Sequence, residues 1–497
     1  MLRFKKIILI MTDTQRWDMC GCYRDTGLRT PCIDGLAQRG VRFERAYTAQ
    51  PVCQPARAAI FTGQYPHSCA SWANSMGISD NTLTIGRRLS DNGVHTAYIG
   101  KWHLDGGDYF GTGKCPPGWD GSYWYDMRNY LEELPRDMRA ASRDTAYMRE
   151  HDFPAEMTYG RRCADRAEDF LKKHGGEEFF LAVSFDEPHH PYMCPRPYSG
   201  MYADYAFPKS PNVYDTLANK PEYQRVWAGS SLFEDKDALD MNNRYFFGCN
   251  SFIDGEIGRV ADAADKYAPD ALLIYTSDHG DFLHSHSLSG KGPAAYDEIT
   301  RIPLIIRGDG IPQGAVGRNP VSHINLSPTI MKMMGFDIPK TMEGNDLSAE
   351  LENPGAHRTN DCIFIEFGRY EVDHDTFGGF QPMRAVFDGR YKLSVNLLSG
   401  DELYDLENDP NEMENLIADA SRAAERNRLH DMLLEHMDAT RDPFRGYYWE
   451  RRPWRVGARA ASWSSGMTRQ REEDERYEKR QLDYETGFEM ITATRRK

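Results

Sequence analysis

The chain has 497 residues, 40% of them hydrophobic and 27% charged, so it can bury a large core and has the composition of a globular protein. Its formal net charge of −15 argues against a general binder of nucleic acid or anionic membranes. The 10 cysteines are scattered without a C-x-x-C pair, which favours reduced thiols over a disulfide framework or a zinc knuckle.

The first predicted element is a buried parallel strand over residues 7–11, followed directly by Asp13. Ligands of open α/β sheets bind at the carboxyl ends of strands, so Asp13 is a candidate metal ligand, although a simple loop or capping aspartate fits the same pattern. The apolar run here is too short for a signal peptide, and no run of about 18 apolar residues occurs anywhere. We therefore expect a cytoplasmic protein without a membrane span.

A helix is predicted over residues 56–62, with Pro55 in its first turn and Gly63 at its end. Cys53 then lies at or just before the N-terminus, where unpaired N–H groups and the helix dipole favour an anion or a thiolate. Arg57, one turn further on, adds a positive charge. These residues outline an anion-binding nucleophile, although an ordinary buried thiol fits the same pattern.

The C-Q-P-A-R run at residues 53–57 resembles the signature of type I sulfatases, in the alkaline phosphatase superfamily. In that family the cysteine is converted after translation into formylglycine, whose hydrate is the nucleophile, and the arginine holds it. The resemblance covers nearly the whole chain and implies that a sulfatase-maturing enzyme acts on Cys53. Many sulfatases carry two adjacent acids where this chain has Asp13 and Thr14, a difference that phosphonate monoester hydrolases and choline sulfatases share.

Two further predicted strands end in chemically active residues. The strand over residues 94–99 is followed by Lys101 and His103, which the resemblance assigns to a sulfate oxygen and to proton transfer near the nucleophile. The strand over residues 179–185 runs into D-E-P-H-H-P, where the family has a P-H-x-P element whose histidine protonates the leaving alcohol. Alignment on the two prolines selects His189.

The strand over residues 271–277 leads to Asp278 and His279. A carboxylate beside an imidazole suits one divalent cation held together with Asp13, and we include Cys53, as formylglycine, among the metal ligands. Oxygen ligands favour calcium most, with magnesium as an alternative, and the imidazole leaves manganese open.

Lys291, in an S-G-K-G run, matches the second sulfate-binding lysine of the family.

Residues 105–135 form a long loop rich in Gly, Trp and Tyr, which suits either an aromatic wall for a sugar or ordinary surface packing. Helices that flank the sheet are predicted over residues 30–41, 83–92, 161–174, 243–267 and 324–335.

After a polar linker over residues 341–361, short strands and a hairpin precede a helix predicted from about residue 414 to residue 440. This part resembles the small C-terminal subdomain of sulfatases, a short antiparallel sheet that can contribute to the substrate pocket. His374 and Arg384 are therefore predicted to bind substrate.

The C-terminal segment, residues 441–497, is rich in Arg, Trp and Tyr. Basic residues among aromatic ones can bind single-stranded nucleic acid, but the acidic chain and the absence of a nucleic-acid-binding motif argue against it. We predict instead that this extension packs across a neighbouring subunit of a homo-oligomer.

The sequence thus predicts an α/β fold with a large, mixed but mostly parallel sheet flanked by helices, as in alkaline phosphatase, and a smaller C-terminal antiparallel sheet. The predicted domains are residues 1–340, 341–440 and 441–497. The predicted function is hydrolysis of a sulfate ester on a mono- or oligosaccharide, with the sugar chosen by family analogy. A phosphonate monoester or phosphodiester hydrolase and a non-catalytic binding protein are the alternatives.

Overall fold

The computed structural model describes residues 2–106, 109–151, 153–371 and 380–455, together with the backbone of residues 463–464 and 467–468. The chain divides into two compact units, Met1–Arg445 and Gly446–Lys497. The described strands are β1 (Lys6–Thr12), β2 (Val41–Phe43), β3 (Ala46–Tyr47), β4 (His95–Gly100), β5 (Phe179–Ser184), β6 (Leu272–Ser277), β7 (Arg301–Ile302), β8 (Leu304–Arg307), β9 (Ala315–Gly317), β10 (Val321–Ser322), β11 (Ile363–Arg369), β12 (Phe380–Phe387), β13 (Tyr391–Asn396), β14 (Glu402–Asp405), β15 (Trp463–Ser464) and β16 (Met467–Thr468). The described α-helices are α1 (Pro31–Gln38), α2 (Cys53–Thr62), α3 (Pro66–Cys69), α4 (Ile85–Asp91), α5 (Met127–Glu133), α6 (Arg136–Ala141), α7 (Thr145–Glu150), α8 (Tyr159–His174), α9 (Tyr198–Met201), α10 (Glu222–Ala228), α11 (Arg244–Tyr267), α12 (Asp297–Thr300), α13 (Leu326–Met333), α14 (Ser348–Glu352), α15 (Ala423–Ala439) and α16 (Tyr447–Glu450).

The central sheet of the first unit is mixed and mostly parallel. Its strand order, among the described residues, is β4-β5-β1-β6-β8-β2-β9. β4, β5, β1 and β6 are mutually parallel neighbours, whereas β8 runs antiparallel to both β6 and β2. The four parallel strands are apolar and almost wholly buried, as expected of strands covered on both faces. The predicted fold class is confirmed.

Helices cover both faces of this sheet. Because side chains alternate along a strand, Ile7, Leu9 and Met11 of β1 join one buried apolar cluster with residues of α2, α4 and α13. Ile8 and Ile10 join a second cluster with residues of α1, α8 and α11. The flanking helices predicted from the sequence are therefore confirmed, within a few residues at their ends.

The helix that opens at Cys53 lies on the first of these faces, and every residue of it is buried. Val52 precedes it in extended conformation, Pro55 lies in its first turn, and Gly63 ends it with a φ of 67°. At Gly63 the N–H donates to Ala59 O at 3.0 Å, a left-handed cap that glycine adopts without steric cost. The helix predicted from the C-x-P-x-R run is confirmed.

The smaller sheet is antiparallel, in the order β11-β12-β13-β14. The long helix predicted from residue 414 is wrong at its start, since α15 begins only at Ala423. The Leu416 N–H donates to Leu403 O at 2.8 Å, and Asp419 then caps a short 3-10 turn by accepting from the Ser421 N–H. These bonds tie the segment to β14 and fold it as a turn in place of the first helical turns.

The second unit contains α16 and the antiparallel pair of β15 and β16. Most of the predicted oligomerisation segment, and the predicted substrate-binding residue His374, lie outside the described residues. Among the described helices, none has both the length and the apolar character needed to cross a membrane.

Candidate active site

The carboxyl ends of β4, β5, β1 and β6 meet at one edge of the central sheet. In register, Met11 lies opposite Ser184, and Thr12 lies opposite Ser277. The first charged residues beyond these strands therefore converge, as expected for parallel neighbours. They are Asp13 after β1, Lys101 after β4, Asp186 after β5 and Asp278 after β6.

A glycine lets β4 approach this edge. Gly100 has a φ of 117°, and a Cβ atom there would lie 1.9 Å from Ser184 O. The following residue, Lys101, donates its N–H to the same carbonyl at 2.8 Å. Only glycine fits this close approach, which delivers Lys101 into the site.

Arg57 joins the two carboxylates at the centre of the site. Its Nη2 lies 3.0 Å from Asp13 Oδ2, and its Nε lies 3.1 Å from Asp278 Oδ2. Its Nη1 donates to Lys101 O and to Ser184 Oγ, both at 2.7 Å. The guanidinium is fully buried. Arg57 thus joins the carboxyl ends of four strands, β1, β4, β5 and β6, and its N–H groups donate to residues at those ends.

Cys53, the first residue of α2, is buried against polar atoms from two of these strand ends. Its Sγ lies 3.2 Å from His279 Nε2 and 3.6 Å from Asp13 Oδ1. Burial and the nearby Asp13 carboxylate raise the pKa of the thiol to about 11, although Lys291 acts in the opposite direction. The expectation of a thiolate at the helix N-terminus is therefore wrong for unmodified Cys53, because burial and the Asp13 charge, which raise the pKa of the thiol, outweigh Lys291 and Lys101, which lower it.

Four predicted metal ligands lie together in the structure. The ligand atoms of Asp13, Cys53, Asp278 and His279 all lie within 4.8 Å of one another and are buried. His279 Nδ1 donates to Gly280 O at 2.8 Å, so in the neutral ring the Nε2 lone pair faces the cluster. That Nε2 lies 3.8 Å from Asp13 Oδ1 and 3.6 Å from Asp278 Oδ1, separations that suit ligands of one divalent cation. The side chains of Asp13, Cys53, Asp278 and His279 therefore form a ligand set that fits one divalent cation.

The charges of the two carboxylates differ. Burial would raise the pKa of Asp13, but the charges around it, with Lys101 the strongest, hold that pKa well below its usual range. Burial and the neighbouring Asp13 carboxylate raise the pKa of Asp278 to about 7. Asp13 is therefore the permanent anion of the pair, and Asp278 is the member whose charge depends most on a compensating cation.

Both predicted sulfate-binding lysines lie in the site. Lys101 Nζ is 2.7 Å from Asp13 Oδ2 and 3.0 Å from Asp186 Oδ1. Lys291 Nζ is 2.7 Å from Cys53 Sγ. Burial alone would lower the pKa of each lysine, but titratable neighbours, Asp13 for Lys101 and Cys53 followed by Tyr370 and Asp13 for Lys291, raise both pKa values above the usual range. Both ammonium groups therefore remain charged.

The two predicted proton-transfer residues lie on the same side of the site. His103 has a φ of 55°, and its ring packs edge-on against Tyr109 with centroids 5.7 Å apart. His189 Nδ1 donates to His190 O at 2.8 Å. Burial, followed by Lys101, lowers the pKa of both imidazoles well below the usual value. Both rings are therefore neutral at physiological pH in this structure.

The sequence analysis did not predict the residues that surround His189, which are Tyr109, Asp186 and Arg143. Tyr109 Oη donates to the Asp186 carboxylate and lies 3.2 Å from His189 Nδ1. Arg143 donates to Asp186 Oδ2 and to His190 O, each at 3.2 Å. Asp186 could have been found from the sequence, because it follows a buried strand as Asp13 and Asp278 do. No sequence pattern distinguishes Tyr109 or Arg143 from other loop residues.

Arg384, predicted to bind substrate, lies on β12 with its side chain buried. Its Nε lies 2.6 Å and its Nη2 3.1 Å from the two carboxylate oxygens of Asp442, while Nη1 donates to Phe367 O and Met383 O. Each guanidinium nitrogen is engaged within the small sheet and the segment that follows α15. We therefore leave Arg384 out of the proposed substrate site.

Comparison with known proteins gives a consistent result. The sulfatase family profile matches residues 5–336, and a profile described as N-sulphoglucosamine sulphohydrolase, C-terminal, matches residues 292–439. The chain is 45% identical over 490 residues to the uncharacterized sulfatase YidJ of Escherichia coli strain K12, covering 97% of this chain and 96% of the relative.

Two solved structures illustrate the shared fold. One is a protein in complex with its substrate D-glucosamine-2-N,6-O-disulfate, with a TM-score of 0.70, 20% identity, and coverage of 89% of this chain and 99% of the other. The second is the phosphonate monoester hydrolase of Agrobacterium radiobacter, with a TM-score of 0.69, 22% identity, and coverage of 88% and 96%.

Proposed function

Since the chain belongs to the sulfatase family of the alkaline phosphatase superfamily and is a sulfuric ester hydrolase, we propose that it removes sulfate from a sulfated mono- or oligosaccharide at the site around Cys53. The observation that carries this proposal is the convergence of two charged lysines, the half-buried Lys291 on Cys53 and the buried Lys101 on Asp13. A buried concentration of positive charge beside a nucleophile position suits an anionic ester.

We propose that Cys53 is converted to formylglycine by a sulfatase-maturing enzyme. Asp13, Asp278 and His279 would hold a divalent cation, with residue 53 as a further ligand, and oxygen-rich ligation favours calcium. The hydrated formylglycine supplies the nucleophile, and the cation supplies Lewis acidity beside it.

The lysines have separate tasks in this proposal. Lys101, held between Asp13 and Asp186, is fixed in position by two ion pairs. Lys291 contacts Cys53 Sγ and His279 Nε2, at 2.7 and 2.9 Å, so its ammonium can stabilise negative charge that develops next to the nucleophile. Together they would stabilise the oxygens of the sulfuryl group in the transition state, where fixed charges act most strongly.

The histidines would move the protons. His103 is neutral, and within the described residues its Nδ1 has no hydrogen-bond partner, so it can accept a proton as a base. His189 is oriented through Nδ1, which leaves Nε2 for the leaving oxygen. A sulfate anion bound near Lys101 offsets part of the charge that lowers the pKa of His189, which favours its role as general acid.

The sugar is proposed on the basis of the relatives. One structural neighbour binds a disulfated glucosamine, and the C-terminal profile takes its name from N-sulphoglucosamine sulphohydrolase. Fold similarity does not transfer a substrate, so a panel of sulfated mono- and disaccharides is the appropriate screen.

The decisive experiment is peptide mass spectrometry across Cys53 after co-expression with a sulfatase-maturing enzyme, paired with hydrolysis of an aryl sulfate and of the sugar panel. We expect an aldehyde at position 53 and sulfate release that Cys53→Ala abolishes. An intact thiol in fully active protein would overturn the proposed nucleophile.

A second candidate is a phosphonate monoester hydrolase. It is favoured by the single acid of the Asp13-Thr14 pair and by the fold similarity to the Agrobacterium radiobacter enzyme. Relative kcat/KM values on aryl sulfate and aryl phosphonate monoesters separate the two, and a higher value on the phosphonate would establish the second candidate.

A further inference from the structure

A second cluster of metal-binding side chains lies at the opposite end of β4. His95 is the first residue of β4, His174 is the last residue of α8, and Glu177 lies in the loop between α8 and β5. Their ligand atoms lie within 4.8 Å of one another. The active-site groups follow Gly100 at the far end of the strand, about 17 Å away at the usual rise of a strand, so this cluster is separate from the active site.

Both ring nitrogens of His95 face carboxylates. Nε2 lies 2.9 Å from Asp120 Oδ2, and Nδ1 lies 3.2 Å from Glu177 Oε2. A neutral imidazole carries one N–H, so one of its lone pairs must face a carboxylate oxygen. Such a pairing of two acceptors is relieved either by a second proton on the ring, which makes both nitrogens donors, or by a metal cation between them. The convergence of two imidazoles on the Glu177 carboxylate suits the metal cation.

The surroundings of Asp120 favour a proton on Nε2 of His95. The Ser122 N–H donates to Asp120 Oδ1 at 2.8 Å, and the Asp120 N–H donates to Thr96 O at 2.8 Å, so this carboxylate is fixed to β4. Glu177, by contrast, is half exposed. We therefore place the N–H of His95 on Nε2, toward Asp120, which leaves the Nδ1 lone pair directed at Glu177.

His174 completes the arrangement. Its Nδ1 lies 3.0 Å from Glu177 Oε1, and its ring packs edge-on against the His95 ring with centroids 4.7 Å apart. The Phe170 ring packs against both imidazoles, at 5.2 and 5.1 Å, and Tyr123 packs against His174 at 5.5 Å. The two Nδ1 atoms and the carboxylate between them are thus held together by apolar neighbours.

We propose that His95, His174 and Glu177 bind a divalent transition-metal ion of the zinc class, with Asp120 orienting His95. Two imidazoles and one carboxylate, with water in the remaining position, match the ligands of Zn²⁺. The side chains of His95 and His174 are 24% and 25% exposed, so an ion can enter from solvent. The bound ion would join the end of α8 to the start of β4 and leave the active site unchanged.

The test is Zn²⁺ binding to the full chain by equilibrium dialysis, with thermal unfolding as a second readout. We expect the native chain to bind one more Zn²⁺ ion than His174→Gln or Glu177→Gln. Binding of this additional ion should raise the melting temperature of the native chain but not that of the two variants. Comparing stoichiometries removes the contribution of the active-site ligands, which all variants retain.

Further variants separate a metal site from a general loss of structure. His357→Gln, at an exposed histidine away from the cluster, should bind as much Zn²⁺ as the native chain. Asp120→Asn should retain the site with about 10-fold weaker affinity, the usual effect of losing a carboxylate that orients a ligand histidine. Equal stoichiometry in the native chain, His174→Gln and Glu177→Gln would overturn the proposal, whatever their sulfatase activity.

Discussion

Lys291 Nζ lies 2.7 Å from Cys53 Sγ, yet burial and Asp13 keep the pKa of that thiol at about 11. The ammonium is therefore beside the nucleophile position without generating a thiolate. Its positive charge is available instead to an anionic ester or to the modified side chain. This relationship makes Lys291 the residue whose removal most directly tests the proposed anion site.

Lys291→Met should lower kcat/KM on an aryl sulfate by about 10²- to 10³-fold, the usual effect of removing one transition-state donor. The free energy of unfolding should change little, because the side-chain hydrogen bonds of this lysine among the described residues are with Cys53 and His279 of the site. Steady-state kinetics and urea unfolding measure the two quantities. Lys340→Met, at an exposed lysine, is the control. A Lys291→Met enzyme with native kcat/KM would remove this lysine from the mechanism.

Arg57→Ala should destabilise the fold by about 3–5 kcal/mol, because it leaves Asp13 and Asp278 buried without their shared partner. Adding Asp278→Asn to Arg57→Ala should restore part of the loss, since one of the two opposed charges is then removed. Urea unfolding of the single and double variants gives the coupling energy. Strictly additive effects would mean that the bridge between these carboxylates contributes nothing to stability.

The strand ends were predictable from sequence because each buried strand is a short apolar run and the next charged residue marks its carboxyl end. That pattern is sufficient to predict that Asp13, Lys101 and Asp278 lie at one edge of the sheet. The state of Cys53 was not predictable in this way, because its pKa depends on burial and on Asp13, which lies 40 positions away in sequence.

Loop residues were harder to assign. Tyr109 lies in a long aromatic loop whose path no periodicity reveals, so its contact with Asp186 could be found only in three dimensions. The contacts of Arg384 were equally hidden in the sequence. The resemblance of this part to the C-terminal subdomain of sulfatases predicted a substrate contact, whereas in the structure Asp442, 58 positions later, engages its guanidinium.

A divalent cation should stabilise the chain through the cluster of Asp13, Asp278 and His279, because an ion that binds only the folded state raises its stability. We expect Ca²⁺ to raise the melting temperature of the native chain and a chelator to reverse the change. Asp13→Asn should abolish this response. Differential scanning calorimetry measures the shift, with Asp270→Asn, at an exposed aspartate, as the control. An undiminished shift in Asp13→Asn would place the ion elsewhere.

Glu187 should make stability fall as pH rises from about 4.5 to 7. Burial, followed by the nearby Asp186 charge, raises the pKa of Glu187 to about 7 in the folded chain, so the folded state binds its proton more tightly than the unfolded state. The stabilisation is complete below the unfolded pKa and is lost as pH passes the folded one. The full effect is at most about 3 kcal/mol. Glu187→Gln should flatten this part of the pH profile in urea unfolding, whereas the exposed control Glu178→Gln should not.

Tyr109→Phe should test whether the hydroxyl positions the proposed general acid. The change removes the hydrogen bond to Asp186 and the hydroxyl 3.2 Å from His189 Nδ1, while the ring under Lys101 remains. We expect kcat to fall about 5- to 10-fold, which corresponds to one hydrogen bond of about 1 kcal/mol, with little change in KM. The loss should be largest for substrates with poor leaving groups, because these depend most on protonation. An equal loss for activated and unactivated esters would show that Tyr109 supports the site in general and does not act through His189.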